Sequence, residues 1–416
     1  MASIATSPTH LLGMDRRVLA LAFARMADAL GNSFLIIVLP LYIASGTVTG
    51  VVFGLSESLV TGVVLALFGF ASSAAQPFAG RFSDRVGRRK LFVLAGLFVF
   101  SVANVAFVWA TTYVFLFGLR IVQGLAAAFT ITASLALVNE VSTGGDRGGN
   151  MGVYNAFRLV GFGSGPLLAS LLIEGGPYAV AAWQVSGFEA AFYVAGASAL
   201  VSAGLVGLLV RDPDDIEPPD RSVPLRVRDP SGRTWLDSIF VLGIGTLVLS
   251  LCFSMLATLE PQLNARLSQG PTLFSIEFAA LVLSLALFQP LIGNASDTWG
   301  RKVFIVIGLV SLVPTTLAQG LVTTPAAMIA ARALQGIAGA MVFAPSLALA
   351  GDLARKGQSG AELSVLTVSF GLGIGFGQIV AGYMVRFGFV VPFAVGAALA
   401  VGAVVLVVTQ VREPAQ

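Results

Sequence analysis

Apolar runs of about 20 residues, the length at which a helix crosses a bilayer, alternate with short polar breaks along almost the whole chain. Twelve such runs can be marked. Six lie at 18–44, 58–79, 91–111, 114–138, 151–173 and 188–210, and six at 236–259, 272–292, 303–320, 326–350, 363–385 and 390–410. Between the sixth and seventh lies the only long polar stretch, Arg211 to Asp237, rich in Pro, Asp and Arg. It reads as a linker, extended in its first part. The pattern predicts an all-α integral membrane protein. A tail (1–17) precedes a six-helix bundle (18–210), and a linker (211–235) joins it to a second bundle (236–410) and a short tail (411–416).

Composition removes the soluble alternatives. The 416 residues are 56% hydrophobic and 11% charged, and mean hydropathy is +0.89; a soluble surface needs about 25% charged residues. The net charge of +3 says nothing for nucleic acid, and no nucleic-acid partner is expected. Cys252 is the one cysteine and His10, in the tail, the one histidine. No disulfide, thiolate cluster, metal site or histidine base is therefore expected in the apolar body, and proton chemistry falls to carboxylates. No short apolar core with a cleavage site precedes the first run, so no cleaved signal is expected. With the N-terminus inside, 18 of the 24 Lys and Arg fall in cytoplasmic segments and two, Arg266 and Arg386, outside. Four, Arg25, Arg120, Arg158 and Arg332, lie within spans. That asymmetry predicts a multi-pass cell-membrane protein with both termini cytoplasmic.

The two halves repeat. GRFSDRVGRRK, Gly80 to Lys90, returns 213 residues later as GNASDTWGRK, Gly293 to Lys302, and a Gln-Pro pair precedes each copy. Both read G-x-x-x-D-x-x-G-R-[RK], carried by Gly80, Asp84, Gly87, Arg88 and Arg89 (with Arg85 between them) and by Gly293, Asp297, Gly300 and Arg301. A glycine serves where the chain leaves a helix and doubles back, an aspartate can cap a helix or pair with arginine, and the basic cluster anchors the turn. LRIVQG, with Arg120, Gln123 and Gly124, matches ARALQG, with Arg332, at an offset of 212. Glu140 matches Asp352, and Gly161 and Gly165 match Gly373 and Gly377, at the same offset. Such halves predict parallel repeats about an axis along the membrane normal.

These motifs resemble those of the major facilitator superfamily, and the likeness runs over essentially all twelve spans. Arg120, Gln123 and Gly124 match the family's fourth-span motif. Gly152, Gly161, Gly165 and Pro166 match its antiporter motif, which this chain leaves at Ala169 and Ser170, both small. The resemblance to the twelve-span drug:proton antiporter branch implies alternating access. It also implies a fifth-span groove that limits leakage and favours export, and an Arg120 that tunes a nearby carboxylate. From the residues alone, the glycines of the fifth span form a packing groove and Pro166 bends it; without a preceding strand they are no dinucleotide fingerprint.

Charged residues inside spans are the remaining candidates, because each costs about 3 kcal/mol or more to bury. In the first span Asp28 shares a face with Arg25 and Asn32. Asp28 either exchanges a proton or is simply neutralised by Arg25. Arg158 has no acid in its own span and needs a partner or an anionic ligand. Glu277 lies inside the eighth span. Glu260 closes the seventh, as a functional acid or as an interfacial end residue. Arg332 is read as structural, and Glu57, Glu174 and Glu189 as solvated ends. The reading is a monomeric, cofactor-free secondary transporter in the lipid bilayer, driven by a proton gradient and exporting small hydrophobic or cationic compounds. Asp28 or Glu277 would carry the proton, and Asp84 with Arg88 and Arg89 would latch the halves. Symport of a sugar or organic anion, and a non-transporting receptor, are the alternatives. No span carries a catalytic or phosphate-binding motif, so no enzyme is expected.

Overall fold

A computed structural model describes residues 10–11, 14–50, 54–141, 147–180, 183–210, 212, 226–229, 232, 234–353 and 359–413; for 10–11, 14–16, 84, 147–148 and 359–363 it describes the backbone alone. Most of the tail 1–17 and of the linker 211–235 lies outside the described residues. Twelve helices are long and apolar enough to cross a membrane. The first six are Arg16–Ala44, Glu57–Val86, Arg89–Ala106, Tyr113–Val141, Arg147–Gly175 and Gly187–Leu209. The second six are Ser238–Thr258, Pro271–Trp299, Arg301–Leu321, Pro325–Leu353, Ser359–Met384 and Val391–Gln410.

Helix ends follow local chemistry. Ser56 Oγ accepts from Leu59 N at 3.3 Å, and Asp237 Oδ1 accepts from Ile239 N at 2.9 Å. Ser186 and Glu189 form a reciprocal capping box, satisfying amides that the first turn leaves unpaired; Glu189 is thus a cap rather than a merely solvated end. The second and eighth helices run through most of the repeated motif. Gly80 and Gly293 sit inside helices, contrary to their expected place at a turn. The chain turns at Gly87 (φ 67°) and Gly300 (φ 95°), in a backbone region that L side chains seldom adopt.

Packing is duplicated. In the first half the first span packs on the fifth and sixth, the fourth on the second and third, and the third on the sixth; the second half repeats all five pairings. The halves meet chiefly through two pairs, the second with the eleventh span and the fifth with the eighth. Between helices already in lipid, apolar burial gives little drive, so close approach through small residues carries association. A Cβ on Gly161 would stand 2.1 Å from Met26 O, and one on Gly373 would stand 2.2 Å from Leu247 O. The fifth and eleventh glycine runs therefore seat on the first and seventh spans, not on each other. Gly371 and Gly375 face Ser73 and Phe70 of the second span across the seam.

Candidate functional site

The polar centre of the first half grows from one helical turn. Asp28, 7% exposed, pairs with the Arg25 guanidinium three residues before it. Asn32 is half-buried a turn further on. Around the pair, Thr130, Ser134, Tyr154 and Ser202 line a cavity holding about 220 Å³ of non-atom space, part of it open to solvent. The Ser134 and Tyr154 hydroxyls lie 2.6 Å apart, and Ser202 Oγ donates to Ala24 O at 2.7 Å. Every lining residue belongs to the first half, so Asp28 looks into its own bundle and not into the seam. Arg158 Nε donates to Asn155 Oδ1 at 3.0 Å, a neutral partner.

Arg120 and Arg332 are buried repeat-mates with different anchors. Arg120 donates from Nε to Val64 O and from Nη2 to Leu65 O, both at 3.2 Å, and from Nη1 to Gln123 Oε1 at 3.1 Å. Gln123 Nε2 in turn donates to Asn104 Oδ1 at 2.7 Å, and the guanidinium lies 4.8 Å over the Phe68 ring. Arg120 thus ties the fourth span to the second and third, and no carboxylate is among these partners. Arg332 donates from Nη1 to Gln335 Oε1 at 2.9 Å and to Phe253 O at 3.3 Å, in the seventh span. The electrostatic neighbour of Arg332 is Glu277. Of the two mates, Arg332 and not Arg120 therefore has a carboxylate as its electrostatic neighbour.

Glu277 lies seven residues into the eighth span, roughly 10 Å along the helix. Near it the seventh span breaks. Pro261 supplies no N–H, Leu259 leaves helical geometry at φ −102° and ψ 14°, and a short helix, Glu260–Leu267, carries on. Glu260 and Glu277 are both 0% exposed. None of their four carboxylate oxygens has a hydrogen-bond partner. Asn264 neighbours Glu260, Gln269 neighbours Glu277, and the two glutamates repel each other. Gln269 Nε2 donates to Asn264 Oδ1 at 3.2 Å, linking the two ends. Burial is the main force pushing the Glu260 carboxyl well above the usual carboxylate range; Asn264 opposes it and the Glu277 charge adds to it.

The seam closes at the end opposite the repeated motif. Ser275 Oγ donates to Pro166 O at 2.9 Å, Phe162 and Phe278 rings sit 5.5 Å apart, and Gln262 Nε2 donates to Ser58 Oγ at 2.8 Å. Glu174, expected to be solvated, accepts from Thr272 N at 3.1 Å and from Thr272 Oγ1 at 2.7 Å, capping the eighth span from the other half. Each of these contacts lies in the half of its span away from the motif. A Cβ on Gly80, Gly149, Gly152 or Gly293, nearer the motif end, would meet nothing within 4 Å. Among the described residues, these contacts between the halves gather at the end away from the motif.

The family model described as Major Facilitator Superfamily matches residues 21–241 and again 242–416. The chain belongs to the major facilitator superfamily. It is a multi-pass membrane transporter, in a family without enzymes. It is 26% identical over 279 residues to the quinolone resistance protein NorA of Staphylococcus aureus, 66% of each chain. It is 36% identical over 105 residues to multidrug resistance protein 2 of Bacillus subtilis, 25% of this chain and 26% of that protein. It is also 25% identical over 349 residues to the human chromaffin granule amine transporter, 80% of this chain and 62% of that one. The aligned stretches thus cover between about a quarter and two thirds of these relatives' lengths. Among solved structures, a bacterial homolog of the human lysosomal transporter Spinster, inward-facing and occupied, superposes with TM-score 0.72 at 15% identity, covering 94% of both chains. The human organic anion transporter MFSD10 superposes with TM-score 0.67 at 18% identity, covering 94% of this chain and 99% of that one.

In this major facilitator chain the loop motif clamps each half to itself. Arg89, which opens the third span, pairs at 2.6 Å with Glu140 at the end of the fourth. Its mate Arg301 pairs with Asp297 at 2.9 Å and with Asp352 at the end of the tenth. These three ion pairs fall inside a half and not across the seam where the sequence reading put a latch; Arg85 and Arg88 are exposed, and the Asp84 side chain lies outside the described residues. Two further acids complete the clamps. Asp212 Oδ1 accepts from Lys90 N at 2.8 Å, and Glu413 accepts from Arg301 N at 2.6 Å. The signal for them was in the chain, as V-R-[DE]-P at Val210 to Pro213 and again at Val411 to Pro414.

Proposed function

We propose that this transporter is a proton-coupled exporter of small hydrophobic or cationic compounds, working by alternating access as a monomer. Glu277 carries the reading: an acid with 0% exposure and no hydrogen-bond partner, within reach of the Arg332 charge. An ionised carboxylate so placed is costly unless compensated, so proton uptake and release there is coupled to which side the site faces. The drug-resistance names of NorA and of multidrug resistance protein 2 support export, as does the antiporter-type groove at Gly161 and Gly165. With both termini cytoplasmic, as the basic residues indicate, the motif end faces inward and the Glu174–Thr272 end is the closed outer gate. Closing the motif end would bring Arg88 and Asp84 to the opposite half, where the latch acts.

Uptake of an organic anion is the second reading. Arg158, which donates to the neutral Asn155, favours it. Proteoliposomes with an imposed pH gradient separate the two. Protons moving against a lipophilic cation are expected; protons moving with an anion, and transport that survives E277Q but not R158Q, would replace export with symport.

A further inference from the structure

We infer that Arg158 and Arg25 together hold one anionic oxygen group, a carboxylate or its like, within the first half. The inference rests on the transport reading and deepens it. The second half serves as the control, because it keeps the fold without these charges. Gly161 seats on Met26 O and Gly373 on Leu247 O, which aligns Arg25 with Thr246 and Asp28 with Leu249. The repeat of the fifth span in the eleventh aligns Tyr154 with Leu366 and Arg158 with Phe370. Leu249 and Leu366 lie in the apolar core of the second half, and Thr246 Oγ1 donates to Leu242 O of its own helix at 2.9 Å. The Phe370 ring packs 5.4 Å from that of Phe343. Packing therefore calls for no charge at these places. A guanidinium kept there, at a cost of about 3 kcal/mol or more, points to a ligand.

The partners of the two arginines give the sign of that ligand. Arg158 stands near the middle of the fifth helix, and its Nε donates to Asn155 Oδ1 at 3.0 Å. Among the described residues its Nη1 and Nη2 make no hydrogen bond or ion pair. Its charged neighbour is not an acid but Arg25, on the first span packed against it. Asp28 answers Arg25 from the same helical turn, which leaves the Arg158 charge unanswered. Arg25 Nε is itself buried without a partner. Tyr154, one turn before Arg158, lies in the field of Arg25, Asp28 and Arg158, with its hydroxyl on Ser134. Like charges repel strongly away from water, and an anion bound beside both removes that repulsion. The free edge of a guanidinium offers parallel N–H donors, the match for the two oxygens of a carboxylate. Arginine keeps its charge throughout, so the site depends on no titration of its own residues.

Such a group has two sources, the cargo itself or a small free acid, and the probes separate them. Equilibrium binding of formate, benzoate and neutral benzamide to the full chain in detergent, at neutral pH and fixed ionic strength, tests the inference. Benzoate binding without formate marks a carboxylate carried on an apolar cargo, and formate binding as well as benzoate marks a free anion; both support it. R158Q is expected to weaken binding about tenfold or more, the worth of one hydrogen bond between charged groups. R158K, which keeps the charge but lacks the fork, is expected to recover only part of that loss. D28N, by releasing Arg25, is expected to tighten binding several-fold, a gain that a damaged fold would not produce. Benzamide binding as tightly as benzoate, unchanged binding in R158Q, weaker binding in D28N, or a wild type that takes up neither acid would overturn the inference. Carboxylate binding by a chain that moves no solute in proteoliposomes would sink the transport reading and leave this site standing. Transport without such binding would do the reverse.

Discussion

The two halves share their helix pairings, glycine seats and motif-end clamps, yet they treat buried charge in opposite ways. In the first half the acid and base are three residues apart on one helix, Arg25 and Asp28, and they pair. In the second half the base, Arg332, is held by carbonyl and amide oxygens, and the acids are left without hydrogen-bond partners. Duplication therefore preserves packing and releases chemistry. In the first half the charges close on each other within one turn, whereas in the second half the acids keep their charge to be balanced by other means.

The largest test of that contrast is removal of the two arginine mates. Arg332→Met should cost about 3–5 kcal/mol at neutral pH, the penalty for leaving a buried charge without its partner. That cost should shrink in acid, because protonation relieves the stranded carboxylate. Arg120→Met removes three hydrogen bonds from a charged donor, about 1.5–3 kcal/mol each before relaxation, and its cost should not vary with pH. Denaturation midpoints of both variants at two pH values decide it. Equal pH dependence in the two would erase the distinction between the halves.

Much of this was legible in the chain. All twelve helices overlap the apolar runs, because a bilayer leaves length and hydropathy as the dominant constraints. The repeat announced itself through Arg120/Arg332 and Glu140/Asp352. Partners were not legible. Arg120 bonds Val64 and Leu65 carbonyls, and a carbonyl leaves no trace in residue identity. In the sequence Glu174 is only a polar end residue; its contact depends on the fifth and eighth spans meeting across the seam. Asn264 and Gln269 carry no signal in the sequence; they lie beside the two glutamates where the chain continues past the break at Pro261.

Where the halves are alike, a matched insult should act alike. Gly161→Val and Gly373→Val both drive a branched side chain into a backbone carbonyl, at 2.1 and 2.2 Å for the first carbon alone. Backbone cannot turn aside, so each should cost about 1–3 kcal/mol or prevent folding. Gly152→Ala, in open space, should be near neutral, as monodisperse yield in detergent would report. A larger loss at Gly152 than at Gly161 would mean that the antiporter motif acts through something other than the seat on Met26.

The seam offers a smaller effect that stability alone does not report. Glu174→Gln keeps the shape but weakens the charged acceptor for Thr272, and Thr272→Val removes the 2.7 Å hydroxyl bond. Each should weaken the closed end by about 1 kcal/mol, the usual worth of one such bond. A spin-label pair across the fifth and eighth spans should then show a larger population separated at that end. Identical distance distributions in the variant and the wild type would demote Glu174 to a cap with no part in gating.

The smallest effect concerns the acids that close each clamp. Asp212 caps the third span and Glu413 the ninth, each arriving from just past the last helix of its half. Lys90 and Lys302 return the contact by donating Nζ to Gly207 O at 2.7 Å and to Val411 O at 2.7 Å. A carboxylate at a helix start gains from the exposed amides and from the helix dipole, together about 0.5–1 kcal/mol at a partly exposed position. Asp212→Asn and Glu413→Gln should each cost about that much, less at high salt because screening weakens the dipole share. The two values should agree, since the geometry is the same in both halves. A Glu413 cost several times that of Asp212 would mean that the clamp of the second half carries load that its first-half mate does not.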